Sequence, residues 1–199
     1  MEDSWRSAVS LLAATSNEKQ KLAKAYGDLL RDLFGRDLWS PTSAAGRMFP
    51  WRLVSEARKN LQSDFNSPGL YLFGAGRCPL LIGKTEGSLW RRLRGRYLRG
   101  PKSQCNLAAT YAPLLIEHGV DGFPEEIRTW YRKRFGGSTV RLSHAVAFAK
   151  IGIESIWIAL LPVGAPGISG ELELRLIPIA YEWNLQHGCS PLLNRQHIS

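Results

Sequence analysis

Two short apolar runs stand close together near the middle of the chain, and their pattern predicts a β-hairpin. The first run covers residues 69–74 and the second covers residues 79–83, with a short loop that contains Gly76 between them. Short apolar runs joined by a glycine-containing loop are typical of paired antiparallel strands. A third short apolar run at residues 155–163 predicts another buried strand.

Helices are predicted on both sides of these strands. The segments concerned are residues 4–34, 51–61, 89–97 after a capping Ser88, the long excursion 98–150, and 169–186, where Pro178 should kink or interrupt the helix. The pattern as a whole therefore predicts an α+β fold. We expect a small, mainly antiparallel three-stranded sheet that is flanked by helices.

The strongest turn signal in the chain is the sequence Asn-Ser-Pro-Gly at residues 66–69. A boundary there predicts a helical N-terminal appendage at residues 1–66 and a core at residues 67–199. The core would carry a helical insertion at about residues 98–150. A chain of 199 residues is long enough to bury such a core without metal or disulfide staples.

Composition and charge narrow the choice of partner. Hydrophobic residues make up 44% of the chain, as in ordinary globular proteins, and the formal net charge is +9. This excess favours a polyanionic partner, either nucleic acid or an anionic membrane. The longest apolar stretch is too short to span a bilayer, and the chain starts with acidic residues where a secretory signal would be basic. We therefore expect a cytoplasmic protein with no membrane association.

The three cysteines, Cys78, Cys105 and Cys189, are widely scattered. No two of them have the spacing of a zinc ribbon, and an odd, scattered set is not typical of a disulfide framework. The sequence therefore predicts neither feature.

Two clusters of basic residues are more informative. The first contains Arg91, Arg92, Arg94, Arg96, Arg99 and Lys102, with no acidic residue between positions 88 and 102; the second contains Arg128, Arg132, Lys133 and Arg134, interleaved with Trp130 and Tyr131. A solvated helix face normally mixes charge signs, whereas like charges this dense repel one another unless a polyanion neutralises them. We expect the first cluster to contact phosphates. For the second cluster, both interpretations remain open.

Several short motifs follow one another along the chain in an order that indicates a function. They are Gly69-Leu-Tyr71, then Leu81-Ile-Gly-Lys84 with Leu89-Trp-Arg-Arg92-Leu93, then Glu173-Leu-Arg-Leu-Ile177, and finally Pro191-Leu-Leu-Asn194. Together they resemble the GIY-YIG nuclease family, which includes excision-repair incision nucleases, homing endonucleases and some type II restriction enzymes. The resemblance covers residues 68–199 apart from the helical insertion at about residues 98–150, and it implies a GIY-YIG-like catalytic core.

The resemblance also implies a set of site residues. The implied catalytic residues are Tyr71, Lys84, Arg92, Glu173 and Asn194, with Glu173 as the ligand of a Mg²⁺ or Mn²⁺ ion. Phosphodiester hydrolysis can use each of these chemistries. A metal ion held by a carboxylate stabilises developing charge, a guanidinium clamps a phosphate, and a phenol near a cation can transfer a proton.

The arginine motif contains two adjacent candidates. The family's arginine is followed by an apolar residue that packs under its helix, and Arg92 is followed by Leu93 whereas Arg91 is followed by another arginine. We therefore assign the role to Arg92. Leu89, Leu93 and Tyr97 should form the buried stripe of this helix, with Arg92 at its flank and Arg91 projecting outward.

The glutamate motif also contains two candidates. Only Glu173, and not Glu171, has leucine three residues later and isoleucine four residues later. This spacing places an apolar face beneath Glu173 and favours it as the metal ligand.

These expectations lead to a hypothesis for the function, with two alternatives. We expect a divalent-metal-dependent endonuclease that cuts DNA, of restriction or mobile-element type, and a homodimer if both strands are cut together. Leu81 stands where the family has its second tyrosine, which favours a non-catalytic nucleic-acid-binding module. A structure-selective or RNA-directed nuclease also remains open, because composition does not distinguish RNA from DNA.

Overall fold

The computed structural model of the chain describes residues 52–60, 65–163 and 167–194. Most of the predicted N-terminal appendage therefore lies outside the described residues. The part of it that is described contains strand β1 (Arg52–Leu53) and helix α1 (Val54–Asn60).

The remaining elements follow in a simple order. They are strands β2 (Gly69–Ala75) and β3 (Cys78–Thr85), helix α2 (Leu89–Leu93) with a π-helical turn (Arg94–Leu98), helices α3 (Gln104–His118), α4 (Glu125–Phe135) and α5 (Val140–Ile151), strand β4 (Ile156–Pro162) and helix α6 (Ile168–Gln186). Short 3₁₀ turns at Gly119–Gly122 and Ile153–Ser155 follow α3 and α5. All three predicted strands are present, within one or two residues of the predicted bounds.

The strands form one sheet in the order β1-β4-β2-β3. Strands β2 and β3 pair antiparallel, with Tyr71 opposite Gly83. Strand β4 is antiparallel to β2, because Val163 donates a hydrogen bond to the Pro68 carbonyl near one end while Trp157 packs on Gly74 near the other. The predicted α+β fold with a three-stranded antiparallel sheet is confirmed, and the two-residue β1 is an addition to it.

The chain divides into two compact units. The first, which we call the sheet unit, includes the β2–β3 hairpin, residues 157–162 of β4 and all of α6. The second, which we call the helical unit, comprises residues 53–61 and 91–156 and so contains α1, α3, α4 and α5.

The core of the sheet unit lies between the sheet and α6. Leu70, Leu72 and Ile82 of the hairpin pack with Leu172 and Leu176 of the helix, and each is at most 2% exposed. Burial of each such side chain contributes about 2 kcal/mol. This packing holds α6 across the hairpin and so fixes where the motif residues of the helix lie.

Helix α6 contains Pro178 but continues to Gln186, so the expected interruption does not occur. A proline removes the hydrogen bond to the carbonyl four residues earlier. That carbonyl belongs to Leu174, and both Leu174 and Pro178 are exposed. Water can therefore hydrate the released carbonyl group.

The interpretation of the cysteines was wrong for one pair. Cys78 and Cys189 form a disulfide that closes a loop of 111 residues, and Cys105 is a buried free thiol. The bond joins the start of β3 to the segment that follows α6. Within the described part of the chain, no helix is both long and apolar enough to cross a membrane.

Candidate functional site

The phenol ring of Tyr71 lies directly over Gly83, its partner on the neighbouring strand. A Cβ atom on residue 83 would lie 2.3 Å from the ring Cζ and 2.4 Å from the hydroxyl oxygen. Any side chain at this position would therefore displace the ring. Gly83 is the glycine of the second motif, and its structural role is to make room for Tyr71.

Lys84 follows Gly83 on β3 and extends in the other direction. Consecutive strand residues point to opposite faces of a sheet, and the Lys84 side chain reaches the first turn of α6. A Cβ atom on Gly170 would lie 2.6 Å from the Lys84 Nζ atom. The amine therefore rests on the bare backbone of Gly170.

Glu173 lies on α6 three residues after Gly170. Residues three apart are neighbours on one side of a helix, so Glu173 is one turn away from the position of the Lys84 amine. Glu173 is 8% exposed whereas Glu171 is exposed, and Leu176 and Ile177 beyond it are buried. The apolar face expected beneath Glu173 is thus present, and the sheet unit brings Lys84 and Glu173 to the same part of α6.

Glu86 is a carboxylate of this site that the sequence analysis missed. Its Oε2 atom accepts a hydrogen bond from the Gly167 N–H at 2.6 Å, and its Oε1 atom accepts one from the Ser169 hydroxyl at 2.8 Å. The same Oε1 lies 3.5 Å from the Lys84 Nζ atom. Glu86 therefore caps the start of α6 and holds the lysine beside it.

These contacts set the protonation of Glu86. Partial burial would raise the pKa of this carboxyl, but the hydrogen bonds from Gly167 and Ser169 and the charge of Lys84 outweigh burial and lower it. Glu86 is therefore ionised at neutral pH. No sequence signal marks it, because Gly167 and Ser169 lie more than 80 residues further along the chain.

Asn194 is bound to the outer edge of the sheet. Its Oδ1 atom accepts a hydrogen bond from the Ile82 N–H at 2.9 Å, and its Nδ2 group donates to the Ile82 carbonyl. Leu193 donates to the Leu80 carbonyl at 2.8 Å and extends this pairing. The side chain thus replaces a neighbouring strand, and these contacts give Asn194 a structural role at the edge of β3.

Arg91 and Arg92 belong to the helical unit and differ in burial as expected. Leu89, Leu93 and Tyr97 are at most 1% exposed, Arg92 is half-buried and Arg91 is exposed. The predicted stripe is therefore confirmed. The helix itself differs from the prediction, because it changes after Leu93 into a π-helical turn.

The other predicted nucleic-acid-binding residues have different surroundings. Those that are exposed are Arg94, Lys102, Arg132, Lys133 and Arg134, whereas Arg96 and Arg99 are half-buried. Lys102 places its Nζ atom 4.5 Å from the centre of the Trp130 ring, and Arg132 lies 3.9 Å from Glu125. Arg99 donates hydrogen bonds to the carbonyls of Arg58 and Lys59 at 2.9 and 3.1 Å, so it caps the end of α1.

Arg141 is a basic residue that the sequence analysis missed. It lies on α5, its guanidinium carbon is 3.6 Å from the centre of the Phe135 ring, and burial followed by the charges of Arg96 and Arg92 lowers its pKa. Arg141 stands alone in the sequence, 45 residues after Arg96. No pattern could therefore have associated it with the first basic cluster.

The residues of the sheet unit fit a divalent ion in one respect. Glu173 offers a single, largely buried carboxylate, and Mg²⁺ is commonly held by one or two carboxylates together with water and substrate phosphates. Among the described residues, no group of three or more His, Cys, Asp or Glu side chains could hold a metal ion by itself. Glu173 is the carboxylate to which the family resemblance assigns such an ion.

No protein-family model matches the chain, and no curated protein or solved structure is significantly similar to it.

Proposed function

We propose that the protein is a divalent-metal-dependent endonuclease that hydrolyses phosphodiester bonds in DNA. The observation that carries the proposal is the position of Glu173. Its carboxylate is largely buried on α6, one turn from the Gly170 backbone on which the Lys84 amine rests. A carboxylate and a cation so close together suit the binding of a metal ion and a phosphate.

The proposed roles follow from the chemistry of each side chain. Glu173 binds the Mg²⁺ or Mn²⁺ ion, which supplies charge stabilisation at the phosphate when bound. Lys84, oriented by Glu86, adds a positive charge toward the phosphate. The family resemblance implies that Arg92 clamps a phosphate through its guanidinium fork. The family resemblance implies proton transfer by the Tyr71 hydroxyl, whose ring lies over Gly83 on the face of the sheet opposite to Lys84. Asn194 holds the edge of β3 through its hydrogen bonds with Ile82.

Cleavage of plasmid DNA with Mg²⁺ or Mn²⁺ tests the proposal. Glu173→Gln should lower the cleavage rate by about 10²–10³-fold or more, because the ligand of the ion loses its charge. Glu171→Gln is the matched control, since it makes the same substitution at an exposed position of the same helix. Equal rates for the wild type and Glu173→Gln would remove Glu173 from the mechanism, and failure to cut any DNA would end the enzyme proposal.

One observation favours a second candidate function. Leu81 is 4% exposed and occupies the place of the family's second tyrosine, where it can neither donate nor accept a proton. A nucleic-acid-binding module without turnover is therefore the alternative. Such a module would bind DNA in a salt-sensitive way without nicking it, and Glu173→Gln would not change its behaviour. Competition between DNA and RNA duplexes distinguishes the RNA-directed alternative.

The proposal includes an assembly and a location. One site per chain would cut both strands together only as a homodimer, so sedimentation of the protein on a DNA duplex should show two chains. We place the protein in the cytoplasm, with DNA as its partner. The Cys78–Cys189 disulfide is unusual in that compartment, and cell fractionation with thiol trapping is the direct test.

A further inference from the structure

One side of α6 carries apolar side chains that do not face the core. They follow one another at spacings of four, three and four residues, and we call them the α6 stripe: Leu174, Pro178, Tyr181 and Leu185. Leu174 is 53% exposed and Leu185 is 67% exposed, Pro178 is exposed and Tyr181 is half-buried. The opposite side of the helix packs on the sheet. A stripe with these spacings is typical of a helix that packs against a second helix.

The α6 stripe has the same pattern in both directions along the helix. The pair Leu174 and Leu185 and the pair Pro178 and Tyr181 have the same midpoint. Two copies of α6 in an antiparallel arrangement would therefore place Leu174 opposite Leu185 of the second copy. The same arrangement places Pro178 opposite Tyr181 of the second copy. A two-fold dimer requires a surface that is complementary to itself, and the apolar residues of the stripe meet this requirement.

Two opposite charges lie along one edge of the α6 stripe. Arg175 is half-buried and Glu182 is exposed, and each directly follows a member of the stripe. They are seven residues apart, which is about 10.5 Å along the helix axis and too far for an ion pair within one chain. Among the described residues, neither side chain takes part in an ion pair. In the antiparallel arrangement, Arg175 comes beside Glu182 of the second copy, and the symmetry forms this pair twice.

Pro178 leaves a backbone acceptor at the same place. Because proline has no N–H group, the Leu174 carbonyl lacks its helical donor, and both residues are exposed. Tyr181 of a second copy would lie at this turn, where its hydroxyl can donate a hydrogen bond to that carbonyl. Apolar contacts, charges and this acceptor are thus all complementary to the same surface of another copy.

We propose that the α6 stripe is the contact surface between two copies of this chain, which pack antiparallel about a two-fold axis. The occupant is a second copy because both the apolar pattern and the two charges are complementary to themselves. The inference deepens the homodimer of the proposed function and rests on it. Glu173 is 8% exposed and adjoins the side of α6 that packs on the sheet, so the stripe contains none of the candidate site residues.

Sedimentation equilibrium of the full chain, without DNA or metal, tests the apolar part of this surface. The wild type should form a dimer. Leu174→Asn should raise the dissociation constant at least about tenfold, because two leucine side chains leave the contact. Leu114→Asn is the matched control, since Leu114 is a 43% exposed leucine on α3, and it should leave the dissociation constant unchanged. Leu185→Asn is the second variant should Leu174→Asn fail to fold, which circular dichroism melting reports.

Reversal of the two charges tests the antiparallel arrangement. Arg175→Glu and Glu182→Arg should each raise the dissociation constant about tenfold, because each places like charges together twice across the contact. A mixture of the two variants should form a heterodimer, since every pair across the contact is then opposite in sign. The double variant Arg175→Glu with Glu182→Arg should form a homodimer again. Without recovery in the mixture and in the double variant, the proposed arrangement is wrong.

The outcomes distinguish this inference from the proposed function. If Leu174→Asn dimerises as tightly as the wild type, the α6 stripe is not the contact, and the homodimer stands. A wild type that stays monomeric both free and on DNA overturns the inference and the homodimer, while plasmid cleavage by that monomer would still support the nuclease. If Leu174→Asn lowers the melting temperature of such a monomer, the stripe packs within its own chain. If the charge reversals behave as expected but no DNA is cut, the contact surface stands and the nuclease proposal fails.

Discussion

The two units of the chain hold their positive charges in different ways. In the sheet unit, Lys84 lies beside Glu86, and Glu86 is itself fixed by hydrogen bonds from the start of α6. In the helical unit, Arg128 pairs with Asp121 and Glu125, whereas the guanidinium carbon of Arg141 lies 3.6 Å from the centre of the Phe135 ring. The sheet unit thus holds its lysine beside a carboxylate, whereas the helical unit holds its arginines with both carboxylates and an aromatic ring.

Basic residues of the two units look alike in the sequence, but substitutions in the two units should have different effects. A substitution in the sheet unit should change the stability of a site that is already assembled. A substitution among the arginines of the helical unit should change the interaction with an anion. The following experiments test this division, beginning with the largest expected effect.

The adjacent arginines of α2 should differ sharply in what they do to DNA cleavage. Arg92→Ala should slow the chemical step by about 10²–10³-fold, because it removes a donor to the phosphate in the transition state. Arg91→Ala should mainly weaken binding and reduce its salt dependence by roughly one ion, since Arg91 is exposed. Single-turnover rates at saturating DNA separate the two effects. The opposite result, with Arg91→Ala losing the chemical step, would move the assignment by one residue.

The disulfide of the sheet unit should make the next largest contribution. Replacing both Cys78 and Cys189 by alanine should lower the free energy of unfolding by about 2–4 kcal/mol, the typical contribution of a disulfide that constrains the unfolded chain. Chemical denaturation measures this loss. Dithiothreitol is the control: it should destabilise the wild type by a similar amount and leave the double variant unchanged. A double variant as stable as the wild type would show that the bond adds nothing to the sheet unit.

Part of this arrangement could be predicted from the sequence, because it depends on local patterns. The hairpin followed from two apolar runs and a glycine-containing loop. The choice of Glu173 followed from the apolar residues three and four positions later. Both patterns act within one turn or one strand, where neighbours in sequence are also neighbours in space.

The remaining contacts join residues that are far apart in the sequence. Glu86 bonds to Gly167, Cys78 to Cys189 and Ile82 to Asn194, over separations of 81, 111 and 112 residues. No periodicity links such positions, because each contact exists only after the helices and the sheet have packed together.

The amide of Asn194 should contribute about 2 kcal/mol to the sheet unit. Asn194→Ala leaves the buried N–H and carbonyl groups of Ile82 without these partners, and unsatisfied buried groups cost about 1–3 kcal/mol. Asn194→Asp keeps an acceptor but loses the donor, so it should not restore stability. Urea denaturation measures both variants. A loss of DNA cleavage without a loss of stability would instead support the catalytic role that the family resemblance implies.

Removing the charge of Glu86 at the start of α6 should change the free energy of unfolding least, and the change should depend on pH. Glu86→Gln keeps an oxygen acceptor but removes the charge near the start of the helix, which should cost about 0.5 kcal/mol at pH 7 for a partly exposed group. The folded state lowers the pKa of Glu86, so the unfolded chain takes up this proton first as the pH falls. The contribution is therefore complete above the ordinary carboxyl pKa of 4.5 and is lost as the pH falls through the lower folded value.

Denaturation from pH 7 to pH 3 should show the stability of the wild type converging on that of Glu86→Gln. Glu171→Gln, at an exposed position in the first turn of α6, is the control for the helix dipole alone. A constant difference between the wild type and Glu86→Gln across this range would mean that the carboxylate charge does not stabilise the sheet unit.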